Sequence, residues 1–296
     1  MALLDSYGSA VVAVSTRLLR NAYLGSCIRV RRSSDNTLTD IGFSSGYLDQ
    51  TALLAFVGSG SGFIHTWYDQ SGNGRDMVQA ATGNQPRIVN SGVVETFTGD
   101  ASDAVSRPAI RFGFSGASYL SCGIGGTSAV VTSSSVVKKV SAATGFGTVS
   151  GLATSYTTLG NYLLNVIDFG SSLVGAIAID ATGATLAVQL NDLFCLSSVI
   201  NTTSSYVSAY RNGSKYQRVT KSASAIDSTT CLVGAWSGNF MSACMSEHVM
   251  WTTDRSSDVF GISGSQCSSF GIAIPTSPSS GTSGFTGLSG AGRLGT

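Results

Sequence analysis

Along the chain, the spacing of apolar positions changes. Within residues 9–23, Val11, Val14, Leu18 and Ala22 recur at three- and four-residue intervals with Arg17 and Arg20 between them, which predicts a short amphipathic helix. A second helix is expected after Asp49, a good N-cap, running through Leu53, Leu54 and Val57 to Gly58 just past its end. From about Gly62 onward the pattern shortens to the two-residue alternation of strands. Ile110, Phe112 and Phe114 alternate with Arg111 and Gly113, and β-rich runs follow at residues 130–140, 162–169, 173–179, 185–190 and 194–200. Residues 206–216 read as a hairpin, because Asn212-Gly213 supplies the two positive φ values of a tight type I′ turn. A last pair of strands, 231–235 and 240–251, precedes a segment from about Gln266 dominated by Gly, Ser, Thr and Pro.

Strands of this length and spacing predict an all-β sandwich with one or two short N-terminal helices. The 296 residues are read as one sandwich domain, 1–265, followed by a Gly/Ser-rich arm, 266–296. Within that arm Phe285, Leu288, Arg293 and Leu294 sit singly on a flexible backbone, as an assembly arm that orders on a partner would place them. A disordered end is the alternative.

Composition then narrows the function. Charged residues are 11% of the chain, against a usual value of about 25%, and 36 residues are Gly. A surface of Ser, Thr, Asn and Gly cannot rely on charge repulsion, so cover by neighbours in an assembly is expected. The formal net charge of +1 creates no field that would gather nucleic acid or an anionic membrane. The start, Met1-Ala2-Leu3-Leu4-Asp5, lacks the basic-then-apolar pattern of a secretory signal. Cys27, Cys122, Cys195, Cys231, Cys244 and Cys267 are scattered without a paired-cysteine motif, so they read as small buried hydrophobes or as disulfides whose pairing is open.

Three stretches carry a resemblance: Leu18-Leu19-Arg20-Asn21-Ala22-Tyr23 leading into Ile28-Arg29-Val30-Arg31-Arg32-Ser33-Ser34-Asp35-Asn36, then Asp40-Ile41-Gly42-Phe43, then Trp67-Tyr68-Asp69-Gln70-Ser71-Gly72-Asn73-Gly74. Together they resemble the catalytic domain of α-L-arabinofuranosidase B and its phage-encoded relatives. Arg107-Pro108-Ala109-Ile110-Arg111-Phe112, Tyr119-Leu120, residues 210–213 and Met245-Ser246-Glu247-His248-Val249 are similar to laminin-G-like sandwiches. The resemblance implies a concanavalin-A-like jelly roll. In the catalytic family it also implies hydrolysis with retention, by a Glu nucleophile on a central strand and an Asp acid/base in a Gly-rich loop. Such chemistry needs two carboxyls about 5 to 5.5 Å apart.

The chain departs from that pattern at both positions. Its only glutamates are Glu95 and Glu247, and the strand corresponding to the nucleophile offers Asp168 at best. Where the family has its Gly-rich acidic loop, Gly234-Ala235-Trp236-Ser237-Gly238-Asn239 carries no carboxylate. Asp168 with Glu247 is the one substitute pair weighed, and a structural role is preferred for Glu247. Asp69 and Asn73 either present oxygens to a sugar or Ca²⁺ or bond their own loop. Arg29, Arg31 and Arg32 near Asp35 and Asp40 read as an ion-pair set, and His65 and His248 show no metal-ligand spacing. Trp236 and Asn239 are the candidate glycan contacts, through ring stacking and amide hydrogen bonds.

The expectation is therefore a non-catalytic bacteriophage virion protein: a head decoration, collar fibre or tail fibre on the virion surface. Its partners would be other virion proteins and itself, as a homotrimer, with host-surface polysaccharide as ligand. No cofactor, metal, nucleic acid or membrane enters this reading. The alternatives are a glycoside hydrolase of the α-L-arabinofuranosidase type and a stand-alone lectin module.

Overall fold

The computed structural model describes residues 2–97, 106–114, 117–140, 147–153, 162–168, 174–179, 182–187, 193–220, 226–227, 229–236 and 239–274. The expected all-β sandwich is what forms. One layer runs, in hydrogen-bonded order, through Ser214–Thr220, Tyr206–Arg211, Leu193–Asn201, Val130–Lys139, Ala243–Trp251 and Val12–Ser15. The other begins Leu38–Ile41, Ile28–Arg32, Gly62–Trp67, Met77–Val78 and Leu120–Gly123. It continues through Thr230–Val233, Gly147–Ala153, Tyr162–Asp168, Val174–Ile179 and Thr182–Ala187. All of these pairings are antiparallel. Arg87–Asn90 and Ile110–Arg111 pair with each other and with one layer each, and so join the two.

Side chains from both layers meet in one apolar core that includes Val12, Val14, Ile28, Val30, Ile64, Leu120, Val137, Leu196, Val207, Val233 and Met245. Burying a residue of this size contributes roughly 1.5–3 kcal/mol, so the core dominates stability. The 206–216 hairpin turns as expected, with Asn212 at φ 50° and Gly213 at φ 84°. A Cβ on Gly213 would also lie 3.2 Å from the Phe260 Cα, so glycine is needed there for packing as well as for φ.

Two local expectations fail for tertiary reasons. Residues 9–23 are not a helix: Val12–Ser15 is a strand, and the helix of this region, α1 (Leu3–Ser6), lies before it. Val12 and Val14 enter the main core while Ala13 faces a second cluster with Leu3, Leu4, Val249 and Trp251. A segment buried on both sides shows no polar face, and its β-branched residues suit a strand better than a helix. α2 (Gln50–Val57) forms as read, with the Asp49 carboxylate accepting from Ala52 N at 2.9 Å.

The second miss is α3 (Val259–Phe270), in a stretch read as strands running into a polar arm. Its buried residues Val259, Ile262, Ser263, Gln266, Cys267 and Phe270 fall at helical spacing, but half of them are polar or small, which hid the stripe. The helix passes through Gln266, the residue at which the arm was expected to begin. It covers the outer face of the Leu193–Asn201 and Val130–Lys139 strands, where Cys195, Val136 and Phe270 share a cluster.

Candidate functional site

The loop that carries the strongest resemblance turns its polar groups inward. Asp69 is 5% exposed. One of its carboxylate oxygens accepts from Ala13 N and Ser71 N, both at 2.9 Å, and the other from Ser71 Oγ at 2.6 Å and Arg75 N at 3.0 Å. Gln70 Oε1 accepts from Leu19 N at 2.7 Å, and its Nε2 donates to the Arg17 carbonyl at 3.0 Å. Asn73 Nδ2 donates to the carbonyls of Ala10 and Val11 at 2.9 and 3.1 Å. This loop is therefore a brace that fixes residues 10–19, and Asp69 has no lone pair left for a sugar or a cation.

That brace delivers Arg17 to Glu247. Arg17 Nε and Nη2 donate to the two Glu247 oxygens at 2.7 and 3.1 Å, in a bidentate fork. Ser15 Oγ at 2.9 Å and Gln266 Nε2 at 3.1 Å complete the carboxylate's shell. The Glu247 side chain is 0% exposed and that of Arg17 only 6%. Burial works to lower the Arg17 pKa, but the Glu247 charge and hydrogen bond outweigh it and hold the guanidinium charged. A carboxylate so enclosed can neither reach an anomeric carbon nor exchange a proton with substrate. Glu247 is structural, as preferred from sequence, and the Asp168–Glu247 catalytic pair is ruled out.

Ser246 forms a bulge in the Ala243–Trp251 strand: Glu247 pairs with Val136 and Met245 with Val137. That extra residue puts Glu247 on the face of Val249 and Trp251, opposite Ala243 and Met245. Ala243, Met245 and Met250 point into the core between the layers, while Val249 and Trp251 pack towards α1 and α3. His248 faces the core side, with Nδ1 2.9 Å from Ser135 Oγ, and complete burial lowers its pKa to about 4.

Other carboxylates whose side chains are described are also engaged. Asp40 binds Arg29 in a fork at 2.8 and 2.9 Å and accepts from Tyr68 Oη, while Asp35 binds Arg32. Arg31 instead donates to Gln85 and Asn36, both at 2.7 Å. Glu95 pairs with Arg87, Asp258 with Arg255, and Asp254 accepts from Asn201 and Tyr206. Asp49 caps α2, Asp76 accepts from Asp69 N, and Asp5 accepts weakly from Asn21 N. Among the described residues no cluster of three metal-ligating side chains forms.

Trp236 and Asn239 stand directly opposite each other, on the two short strands Ala235–Trp236 and Asn239–Phe240. The hairpin leaves the layer at Gly234, whose φ is 88° and whose Cβ would meet the Phe112 ring at 2.3 Å. Asp168 ends its strand across from Gly147. Phe285, Leu288, Arg293 and Leu294 lie outside the described residues. The sequence reading missed Arg17, Ser15, Gln70 and Gln266 as a buried polar network. Arg17 and Glu247 are 230 positions apart, and nothing local marks either as a partner of the other.

Residues 5–109 match the family model of the α-L-arabinofuranosidase B catalytic domain. An α-L-arabinofuranosidase B of Emericella nidulans is 39% identical over 83 residues, which is 27% of this chain and 16% of that protein. Among solved structures, a GH54 α-L-arabinofuranosidase soaked with a cyclic sulfate inhibitor covers 89% of this chain at 15% identity, with a TM-score of 0.65. An arabinofuranosidase complexed with arabinofuranosyl-α-1,2-xylobiose gives 0.64 over the same share. The chain spans 64% of each of those structures.

These likenesses overturn the reading of a non-catalytic virion protein: these relatives are arabinofuranosidases, and nothing in them shows a phage origin or a laminin-G-like family. The fold also removes one premise of that reading. Uncharged polarity does not require an assembly face to cover it, because much of it is internal: Ser133, Ser134, Ser135, Ser197, Ser198 and Ser208 are each at most 1% exposed.

Proposed function

We propose that this chain is a glycoside hydrolase domain of the α-L-arabinofuranosidase type, which cleaves terminal arabinofuranosyl groups from a glycan. The observation that carries the reading is the match of residues 5–109 to the catalytic family, in the segment that contains the Arg17 and Asp69 braces. A sandwich of the same fold, found in arabinofuranosidases over 89% of this chain, supports it.

The structural carboxylates narrow the chemistry. Asp35, Asp40, Asp49, Asp69, Asp76, Glu95, Glu247, Asp254 and Asp258 each make a hydrogen bond or ion pair within the fold. Of the remaining acids of the sequence, Asp100, Asp103, Asp168, Asp180, Asp192 and Asp227 are the first candidates for a nucleophile and an acid/base. Asp168, on the strand that corresponds to the family's nucleophile strand, is the residue to test first. In a retaining reaction its carboxylate would form the glycosyl ester while a second carboxyl protonates the leaving oxygen, and water then releases the sugar. Trp236 and Asn239 are the candidates for a stacking plane and an amide that contact the sugar.

The test is release of 4-nitrophenol from 4-nitrophenyl α-L-arabinofuranoside by the purified chain. Turnover is expected in the wild type, with a loss of at least about 1,000-fold in kcat for Asp168→Asn, the scale of removing a nucleophile. A folded wild type that shows neither turnover nor a burst of nitrophenol sinks the proposal.

A further inference from the structure

All six cysteines are buried thiols, and the fold sorts them. Cys195, on the Leu193–Asn201 strand, and Cys267, on α3, bring their sulfurs to 3.1 Å. Cys122 and Cys231 are direct register partners on two antiparallel strands, and the Cys231 sulfur also lies 3.8 Å from His248 Nε2. Cys27 donates instead to the Ser15 carbonyl, and the cross-strand neighbours of Cys244 are Lys138 and Arg111.

We propose that Cys195–Cys267 and Cys122–Cys231 are disulfide sites, each closed during folding by a low-molecular-weight disulfide such as oxidised glutathione. Opposed residues of an antiparallel pair have Cα atoms about 4.5–5.5 Å apart, inside the range a disulfide spans. The 3.1 Å pair needs its sulfurs to close by about 1 Å, which small rotations about both Cα–Cβ bonds supply. In the reaction one cysteine thiolate attacks the small disulfide and expels one thiol. The second cysteine then attacks the mixed disulfide and expels the other. Two protein S–H bonds are lost, one S–S bond forms, and the oxidant leaves as two thiols.

Burial sets when this happens. It pushes the Cys195 thiol well up, so little thiolate exists once α3 has docked, and the bond has to form before the helix closes over it. Once formed, it holds the residue next to Gln266, whose amide bonds Glu247 at 3.1 Å and accepts from Ser134 Oγ at 2.6 Å. The cross-link would thus keep the lid of the buried Arg17–Glu247 pair in place.

The full chain is refolded in mixed reduced and oxidised glutathione, alkylated and digested without reduction. The expected map links the Cys195 peptide to the Cys267 peptide and the Cys122 peptide to the Cys231 peptide, with Cys27 and Cys244 alkylated. Melting should rise by at least about 5 °C over protein refolded in reduced glutathione alone. Cys267→Ala and Cys195→Ala should lower the melting temperature of the oxidised protein equally and that of the reduced protein far less. Each pair stands on its own peptide: alkylation of both its cysteines, or a link from either to Cys27 or Cys244, overturns it.

Discussion

Two buried polar regions lie side by side on one layer of the sandwich and are built on opposite principles. At one, a full negative and a full positive charge meet as Glu247 and Arg17, with Ser15 and Gln266 completing the carboxylate's shell. At the other, neutral hydroxyls face each other across the Val130–Lys139 and Leu193–Asn201 strands, Ser133 to Ser198 and Ser134 to Ser197, both at 2.7 Å. Desolvating an ion pair costs several kcal/mol per charge and leaves a large penalty if either partner is lost. Desolvating a hydroxyl pair costs far less, and either member can be given up for little. The first region therefore specifies one arrangement of distant segments, while the second fills space between strands whose register is already set.

The largest break in that contrast is Glu247→Gln. It leaves the Arg17 charge buried beside a neutral amide and should cost about 3–5 kcal/mol in urea unfolding. Arg17→Met combined with Glu247→Leu should recover most of that loss. A single variant as stable as wild type would mean that water reaches the pair.

A smaller effect comes from His248, which sits next to Glu247 in sequence but on the opposite face of its strand. Its folded pKa, about 4, lies below the ordinary 6.5 because burial disfavours the charged ring. Above 6.5 both folded and unfolded forms are neutral and the contribution is complete. As pH falls from 6.5 to 4 only the unfolded chain takes up the proton, so roughly 3 kcal/mol of stability should drain away over that window. His65 titrates with the same sign, so the measurement is the difference in urea midpoint between wild type and His248→Gln across these pH values. Parallel profiles would show that the ring charges inside the fold.

The smallest effect is at the hydroxyl ladder. Ser133→Ala or Ser198→Ala alone should cost about 1 kcal/mol, and the double variant clearly less than the sum. Additive losses would show that these hydroxyls act separately and would weaken the contrast with the ion pair.

Legibility followed the range of the interactions. The Asn212-Gly213 turn, the Asp49 cap of α2 and the two-residue alternation of the strands are decided within a few residues, and the sequence reading found them. The same holds for Arg29 with Asp40 and Arg32 with Asp35, neighbours on one ribbon. Residues 9–23 were misread because Val12–Ser15 is buried on both faces, which erases the alternation that marks a strand. α3 was missed because Ser263, Gln266 and Cys267 serve as its core-facing residues, and a polar stripe looks like an arm until its partners are known. Composition misleads about function here, because hydroxyls buried inside the sandwich look in sequence like a surface awaiting neighbours.

By itself, the sequence determined the fold class, most strand positions, the tight turns and a resemblance to the arabinofuranosidase B catalytic domain, since each rests on periodicity, on backbone φ or on a contiguous motif. Only the tertiary structure decided which carboxylates are tied into the fold and which thiols lie close enough to pair. Those outcomes depend on burial and on contacts such as Arg17 with Glu247 or Cys195 with Cys267, between residues far apart along the chain. Dielectric surroundings and sulfur-to-sulfur distance exist only after the chain has folded.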